Sequence, residues 1–172
     1  MILRIGEFDR LDRNRLMAVY AESNSENAEE FYPDEDRTLA VAKVEESFLG
    51  FLRDEFFAAP GSEYWILEEE GEWVSALRTS YLGDGLYYIE ALETMPGYRR
   101  MGFAVKLLGG VIEELKKNGP FRICDCVNKG NEPSIRTHRR CGFRVASEAG
   151  SDRLRGDIRD WEYSFEYEYA GE

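Results

Sequence analysis

The sequence predicts an α/β (α+β) fold: a mixed, mostly antiparallel central sheet of about seven strands with flanking helices. Three observations lead there. Apolar runs in the middle of the chain are joined by tight glycine turns, as in antiparallel hairpins. A strand–helix–strand unit follows them. The last segment alternates aromatic and acidic residues with period two. A length of 172 residues suits one domain, 1–172, and 43% hydrophobic content suits a packed core.

Leu3 to Phe8 is expected as a first strand, with Asp9 capping a helix that carries Leu16, Met17 and Tyr20. Ser23 to Asp36 holds six acidic residues and Pro33 and is expected to be a loop. Asp34 and Asp36 then precede a second helix, where acids suit the positive end of the dipole. Val41, Val44, Phe48, Phe51, Leu52 and Phe56 follow its period, and Pro60-Gly61 ends it. Tyr64–Leu67 and Trp73–Tyr81 are expected strands joined at Glu70-Gly71-Glu72, and Gly83-Asp84-Gly85 leads into a third from Leu86 to Thr94.

Ala104, Leu107, Leu108, Val111, Ile112 and Leu115 form the apolar stripe of the next helix. Gly109-Gly110 inside it should cost about 1 kcal/mol each, so close packing is the expected compensation. Asn118-Gly119-Pro120 stops it. Phe121–Val127 is then a strand, Glu132–Arg140 a short helix with Pro133 in its first turn, and Phe143–Ala146 the start of a sixth strand. Trp161, Tyr163, Phe165, Tyr167 and Tyr169 alternate with polar residues in a half-buried last strand, whose stripe suits core packing or a homodimer surface.

The formal net charge of −12 disfavours nucleic acid as a partner outside the one basic stretch, Tyr98 to Arg144. It suits plain solubility, or attraction of a cationic substrate. Three cysteines argue against a disulfide framework and for a reducing compartment, with cytoplasm the expected location. No apolar run approaches the roughly 20 residues of a membrane span, and the short apolar run at Met1–Ile5, followed at once by Glu7, does not suit a signal peptide. No membrane partner is expected. Cys124-Asp125-Cys126 resembles a metal spacing only superficially. No Cys/His cluster completes it, so no metal is expected.

The charge is unevenly spread. Tyr98 to Arg144 holds eleven Lys/Arg against four Asp/Glu, a net of +7 inside an acidic chain. At the head of this island runs Tyr98-Arg99-Arg100-Met101-Gly102-Phe103-Ala104, between a strand and a strong helical pattern. A glycine there lets backbone approach a ligand closely, and a helix start offers unpaired N–H groups and partial positive charge. A phosphate or pyrophosphate suits such a site. A doubly wound nucleotide fold would carry its glycine loop after the first strand, whereas this one follows the fourth.

The loop Arg99-Arg100-Met101-Gly102-Phe103-Ala104, led in by Met95-Pro96-Gly97-Tyr98, resembles the Arg/Gln-x-x-Gly-x-Gly/Ala pyrophosphate loop of the GNAT superfamily of N-acetyltransferases. Asn131 to Phe143 resembles the family's second element, Asn-x-x-Ala-x-x-x-Tyr and, three residues on, Gly-Phe. Ser134 replaces the alanine, and His138 replaces the tyrosine used for the acid step. The element order also fits. The resemblance implies a GNAT-like sheet and transfer of an acetyl group from acetyl-CoA to a primary amine of a small molecule or peptide. It implies pyrophosphate contacts from the loop, Arg99 to Ala104, with the backbone N–H groups from Arg100 onward doing the holding. Backbone groups at Leu92, Glu93 and Thr94 would pair with the pantetheine arm, with Asn131 and Ser134 near it.

A protonated amine is not a nucleophile, so a base is needed. Glu90, on the central strand where several members of the family place a catalytic glutamate, is the first candidate. The alternatives for Glu90 are a structural partner for an arginine, or a pocket-lining acid that only attracts cationic amines. Glu93 is the second candidate. It lies an odd number of residues away and reaches the same cleft only across a bulge. His138, the only histidine, stands at the family's acid position. Its alternative is simple packing or hydrogen bonding at a helix end. Arg136, Arg139 and Arg140 are candidates for the 3′-phosphate of coenzyme A, or a solvated face. The first two helices, the acidic segment between them and the last hairpin should frame the acceptor. Glu29, Glu30, Asp34 and Glu35 hint at a cationic one. A different class of function, a non-catalytic acyl-CoA-binding sensor, would keep the loop and lose the chemistry.

Overall fold

The computed structural model describes residues 1–171. The chain runs β1 (Ile2–Ile5), α1 (Arg13–Val19), α2 (Ala21–Phe31), α3 (Arg37–Phe51), β2 (Glu63–Glu69), β3 (Glu72–Gly83), β4 (Leu86–Thr94), α4 (Phe103–Lys116), β5 (Phe121–Asn128), α5 (Glu132–Arg140), β6 (Arg144–Ser147), β7 (Gly150–Ser151), β8 (Ile158–Arg159) and β9 (Glu162–Tyr169). Seven strands form one sheet in the order β1-β2-β3-β4-β5-β9-β6. Every neighbouring pair is antiparallel except β4 and β5. The mixed, mostly antiparallel sheet is therefore as expected from the hairpins and the single strand–helix–strand unit.

The sheet buries both faces. On one, Leu107, Leu108, Val111, Ile112 and Leu115 of α4 and Ile135 of α5 meet Trp65, Leu77, Ile89, Ile123 and Phe165. The stripe from Tyr163 to Tyr169 packs here too, whereas Trp161 is 61% exposed. On the other face, Leu16, Met17, Val19 and Tyr20 pack with Leu52, Phe56, Tyr64 and Ile66. Gly110 explains half of the glycine pair in α4. A Cβ there would overlap Ile2 Cδ1, so the glycine lets α4 close on β1, while Gly109 has no such neighbour.

Several expectations are corrected. The acidic segment after Tyr20 is a helix, α2, and only Tyr32 to Asp36 remains a turn. Its buried positions, Asn24 and Ala28, are four residues apart, and Ala28 packs with Ala40 and Val44 of α3. Small and polar residues carry that face, so the apolar period is faint in the sequence. The first strand stops at Ile5, and Asp9 lies in a short 3₁₀ turn, Phe8–Arg10. The cap of α1 is Asp12, which accepts from Arg15 N–H at 3.1 Å. Asp36 caps α3 by accepting from Leu39 N–H at 3.2 Å, and that helix widens into a π turn at Leu52–Phe56. The small β7–β8 hairpin was not foreseen.

Candidate active site

β4 and β5 pair only at Leu86/Arg122, Tyr87/Ile123 and Tyr88/Cys124. Both strands continue past that point, to Thr94 and Asn128, so they splay apart. The β5-facing backbone groups of the second half of β4 lack a strand partner there. Unpaired polar backbone of this kind must be satisfied by water or by a ligand.

The other edge of β4 carries a bulge. Ala76 pairs with Glu93 and Arg78 with Glu90, so three steps on β4 oppose two on β3. Ala91 sits in the left-handed region at φ 54°, and its carbonyl accepts from the Tyr20 hydroxyl at 2.6 Å. The extra residue breaks the alternation and puts Glu90 and Glu93 on one face, the face of α1 to α3.

The two carboxylates differ in their neighbours. Glu90 is held on both oxygens, by Arg78 Nε at 3.2 Å and by Arg155 Nη1 at 2.7 Å. It is the arginine partner that the sequence left open for it. Glu93 accepts from the Ser23 hydroxyl at 2.6 Å and lies 3.7 Å from the Arg99 guanidinium. Burial, with Glu22 and Glu26 nearby, lifts Glu93 above the ordinary carboxylate value despite Ser23 and Arg99. Glu93 also lines a cavity of about 490 Å³ between α2, α3 and the bulge. The walls include Tyr20, Phe31, Tyr32, Val44, Phe48 and Phe51, with Arg78 and Ala91 on the sheet.

Immediately after β4 the chain makes a 3₁₀ turn, Pro96–Tyr98, and then the glycine loop. Arg100 and Gly102 both adopt positive φ, 65° and 82°, and α4 starts at Phe103. Nothing lies within 4 Å of where a Gly102 side chain would start, so the backbone angle, not crowding, demands glycine there. The first helical hydrogen bond runs from Lys106 N–H to Gly102 O at 2.9 Å. The amides ahead of it have no acceptor within the helix. Arg99 turns back instead of facing outward. Its guanidinium donates to Thr94 O at 3.1 Å and to Glu22. Met101 is exposed.

His138 is placed differently from the two glutamates. It lies on the α4–α5 side of the sheet, 1% exposed, between Phe143 and Phe165. Its Nε2 is 2.6 Å from Asp125 Oδ2 and its Nδ1 is 2.8 Å from Ser134 O. Neither ring nitrogen is open to the cleft. Asn131 caps α5, its Oδ1 accepting from Ser134 N–H at 3.1 Å. Arg136, Arg139 and Arg140 are exposed. Glu29 pairs with Arg37 at 3.0 Å and Glu35 with Lys43 at 2.5 Å. Glu29, Glu30, Asp34 and Glu35 are absent from the cavity wall. No group of three His, Cys, Asp or Glu able to hold a metal ion occurs among the described residues. Among them no helix is long and apolar enough to cross a membrane.

The profile of the acetyltransferase (GNAT) family matches residues 11–143. The chain belongs to the GNAT family. The match includes the bulge, the splay, the glycine loop and α5, so the geometry described above is that of an acetyl-CoA-dependent acetyltransferase. Solved structures share the GNAT fold over nearly the whole chain. PaiA N-acetyltransferase from Thermoplasma acidophilum, in complex with coenzyme A, is similar with a TM-score of 0.65 and 15% identity, over 98% of this chain and 99% of that one. A GNAT acetyltransferase from Staphylococcus aureus Mu50 is similar at 0.65 and 18%, over 98% and 99%. The ribosomal-protein-S18-alanine N-acetyltransferase from Escherichia coli is similar at 0.62 and 16%, over 100% and 96%. No curated protein matches this GNAT chain in sequence.

The sequence missed Tyr20, Ser23, Arg78 and Arg155. Tyr20 and Arg78 read as ordinary members of a helix and a strand. Only the register of β3 on β4 and the docking of α2 bring them to the cavity.

Proposed function

We propose that this GNAT enzyme acetylates the primary amine of a small molecule or peptide, with Glu93 as general base. One observation carries the proposal. Glu93 is the carboxylate that stands at the cavity, beside the unpaired stretch of β4 and just before the glycine loop.

Acetyl-CoA fits the residues present. The amides from Arg100 to Ala104 would hold the pyrophosphate, since positive φ at Arg100 and Gly102 and the start of α4 leave them without partners. The stretch from Leu92 to Thr94, which has no partner on β5, would take the pantetheine arm as a strand takes its neighbour, with Asn131 and Ser134 alongside at the start of α5. Bound acetyl-CoA supplies the acyl group as a thioester, so an amide bond forms as the C–S bond breaks and thiol is released.

The protein's own task is the proton. A lysine-like amine holds it with a pKa of about 10.4 in water. Glu93 takes it once the amine enters the cavity, and its raised affinity for protons makes it a better base than an exposed carboxylate. Ser23 and Arg99 fix its orientation. Glu90, with both oxygens held by arginines, serves as an anchor between β3 and the β7–β8 hairpin. His138 is committed to Asp125 and Ser134, and the thiolate leaves without it.

The test is thermal stability with acetyl-CoA, coenzyme A and ATP, followed by thiol release over an amine panel. Stabilisation by acetyl-CoA and not ATP, with turnover that falls by roughly a hundredfold or more in Glu93→Gln, supports the proposal. Full turnover in Glu93→Gln, with loss in Glu90→Gln, would move the base to Glu90.

A further inference from the structure

We propose that the acceptor carries a carboxylate beside its amine, as an apolar or aromatic amino acid does, and that Arg78 receives that carboxylate. The proposal rests on the acetyl-transfer reading above and specifies its substrate.

The cavity wall contains one guanidinium and one carboxylate, Arg78 and Glu93. A site for a polyamine would need several acids and no buried arginine, because a second cation would be set against the first. The other wall residues are five aromatic rings with Val44 and Ala91, which suit an apolar body, and four neutral polar side chains, Ser23, Asn24, Asn27 and Ser47. Arg78 is an unusual residue to find there. Its side chain is 10% exposed, and its guanidinium lies 5.9, 5.0 and 5.8 Å from the ring centroids of Phe48, Phe51 and Phe56. A buried guanidinium needs an anionic partner.

Glu90 meets only part of that need. It accepts from Arg78 Nε with one oxygen and gives the other to Arg155, so one carboxylate serves two cations. The Tyr64 hydroxyl donates to Tyr20 and its oxygen can accept from Arg78, but it is neutral and supplies no second anion. A guanidinium has five N–H donors in a planar fork that matches a carboxylate, and of those of Arg78, which lines the cavity, only Nε donates to an anion of the fold.

The bulge sets the spacing. Ala76 is opposite Glu93 and Arg78 is opposite Glu90, which makes Arg78 and Glu93 diagonal neighbours on one face. Diagonal neighbours in a sheet are about 7–8 Å apart, and their Cβ atoms somewhat closer. Two side chains reaching into the same space from such positions can grip the two ends of a zwitterion, the amine at Glu93 and the carboxylate at Arg78.

The experiment uses matched triplets on the full chain: a free amino acid, its amide and the decarboxylated amine, each with phenyl, indolyl, branched aliphatic or thioether bodies. The wild type should favour the free acid over its amide by roughly tenfold to a hundredfold in kcat/KM. Arg78→Lys keeps the charge and loses the fork, so the preference should shrink. Arg78→Met should erase it. Stabilisation by acetyl-CoA reports that each variant is folded, and if Arg78→Met does not fold, Arg78→Lys decides. Equal or better turnover of the amide or the decarboxylated amine overturns the inference and leaves acetyl transfer standing. So does an acid preference that survives in the folded Arg78 variants. Acetyl-CoA binding with no turnover of any member of the panel also overturns it. A wild type that acetyl-CoA fails to stabilise sinks the acetyl-transfer reading itself.

Discussion

Removing His138 should cost stability far more than it costs chemistry. The two short contacts of its ring nitrogens, with Ser134 O and Asp125 Oδ2, are both to acceptors, while the Ser134 hydroxyl is more distant at 3.4 Å. Nδ1 must therefore donate to the carbonyl, and the Nε2–Asp125 contact carries one further proton shared between the pair. Burial opposes a charged imidazole, but the Asp125 carboxylate outweighs it and holds His138 above its ordinary value. Asp125 is 7% exposed. His138→Ala leaves that carboxylate buried without its partner, a loss of about 3–5 kcal/mol. A domain of this size loses about 2–4 °C per kcal/mol, so the melting temperature should drop by roughly 6–20 °C.

The assay pairs calorimetry with steady-state rates at a temperature where the variant is still folded. There kcat should fall by less than about tenfold, because a thiolate is a tolerable leaving group without an acid. Asp125→Val with His138→Leu should cost less than the two single changes summed, since an apolar pair leaves no orphaned charge. A melting temperature within about 2 °C of wild type, together with a hundredfold loss of kcat, would refute the structural role and restore His138 as the acid.

The same pair predicts a pH dependence of stability. The folded value of His138 lies above the ordinary 6.5, so the stabilisation is fully present below pH 6.5 and is lost as pH rises through the folded value; calorimetry across that window should show the decline in wild type and not in the Asp125→Val/His138→Leu double variant, which removes the raised Asp125 carboxyl as well. For activity the sign reverses. As the proposed base Glu93 would work deprotonated, so kcat/KM should rise with pH through a value above the ordinary 4.5, and Glu93→Gln should lose that limb along with roughly 10²–10⁴ of kcat. The helix glycines separate cleanly. Gly109→Ala, with no neighbour within 4 Å, should stabilise by about 1 kcal/mol in urea unfolding, whereas Gly110→Ala meets Ile2 and should gain less or lose.

Most of the fold was legible because its elements announce themselves locally. The turns at Glu70-Gly71-Glu72 and Gly83-Asp84-Gly85, the stripe of α4 and the alternation of β9 are patterns within a few residues. The glycine loop was legible for the same reason: a residue in the left-handed region at a helix start is written as Gly102. What stayed hidden depends on residues far apart in the chain. Helix α2 carries its buried face on Asn24 and Ala28, which only the docking of α3 makes apolar enough to matter. His138 stood at the position of an acid, and nothing near it in sequence reveals that Asp125, thirteen residues away on β5, would claim its Nε2. The cavity arginine, Arg78, was one more residue of an ordinary strand.

The bulge at Ala91 shows why site chemistry is harder to read than fold. Left-handed backbone usually advertises itself as glycine, yet here an alanine adopts it. Its Cβ makes φ 54° cost about 1–2 kcal/mol, and the Tyr20 hydroxyl on its carbonyl helps hold the peptide there. Without that extra residue, Glu90 and Glu93 would point to opposite sides of the sheet, and only one could face α2 and α3. With it, both do, and the surroundings then divide their roles. Two arginines hold Glu90, while Glu93, beside Ser23 and the cavity, keeps a higher affinity for protons. The same shift sets Glu93 diagonally from Arg78, so one inserted residue aims the proposed base and also sets its distance from the cavity's only guanidinium among the described residues.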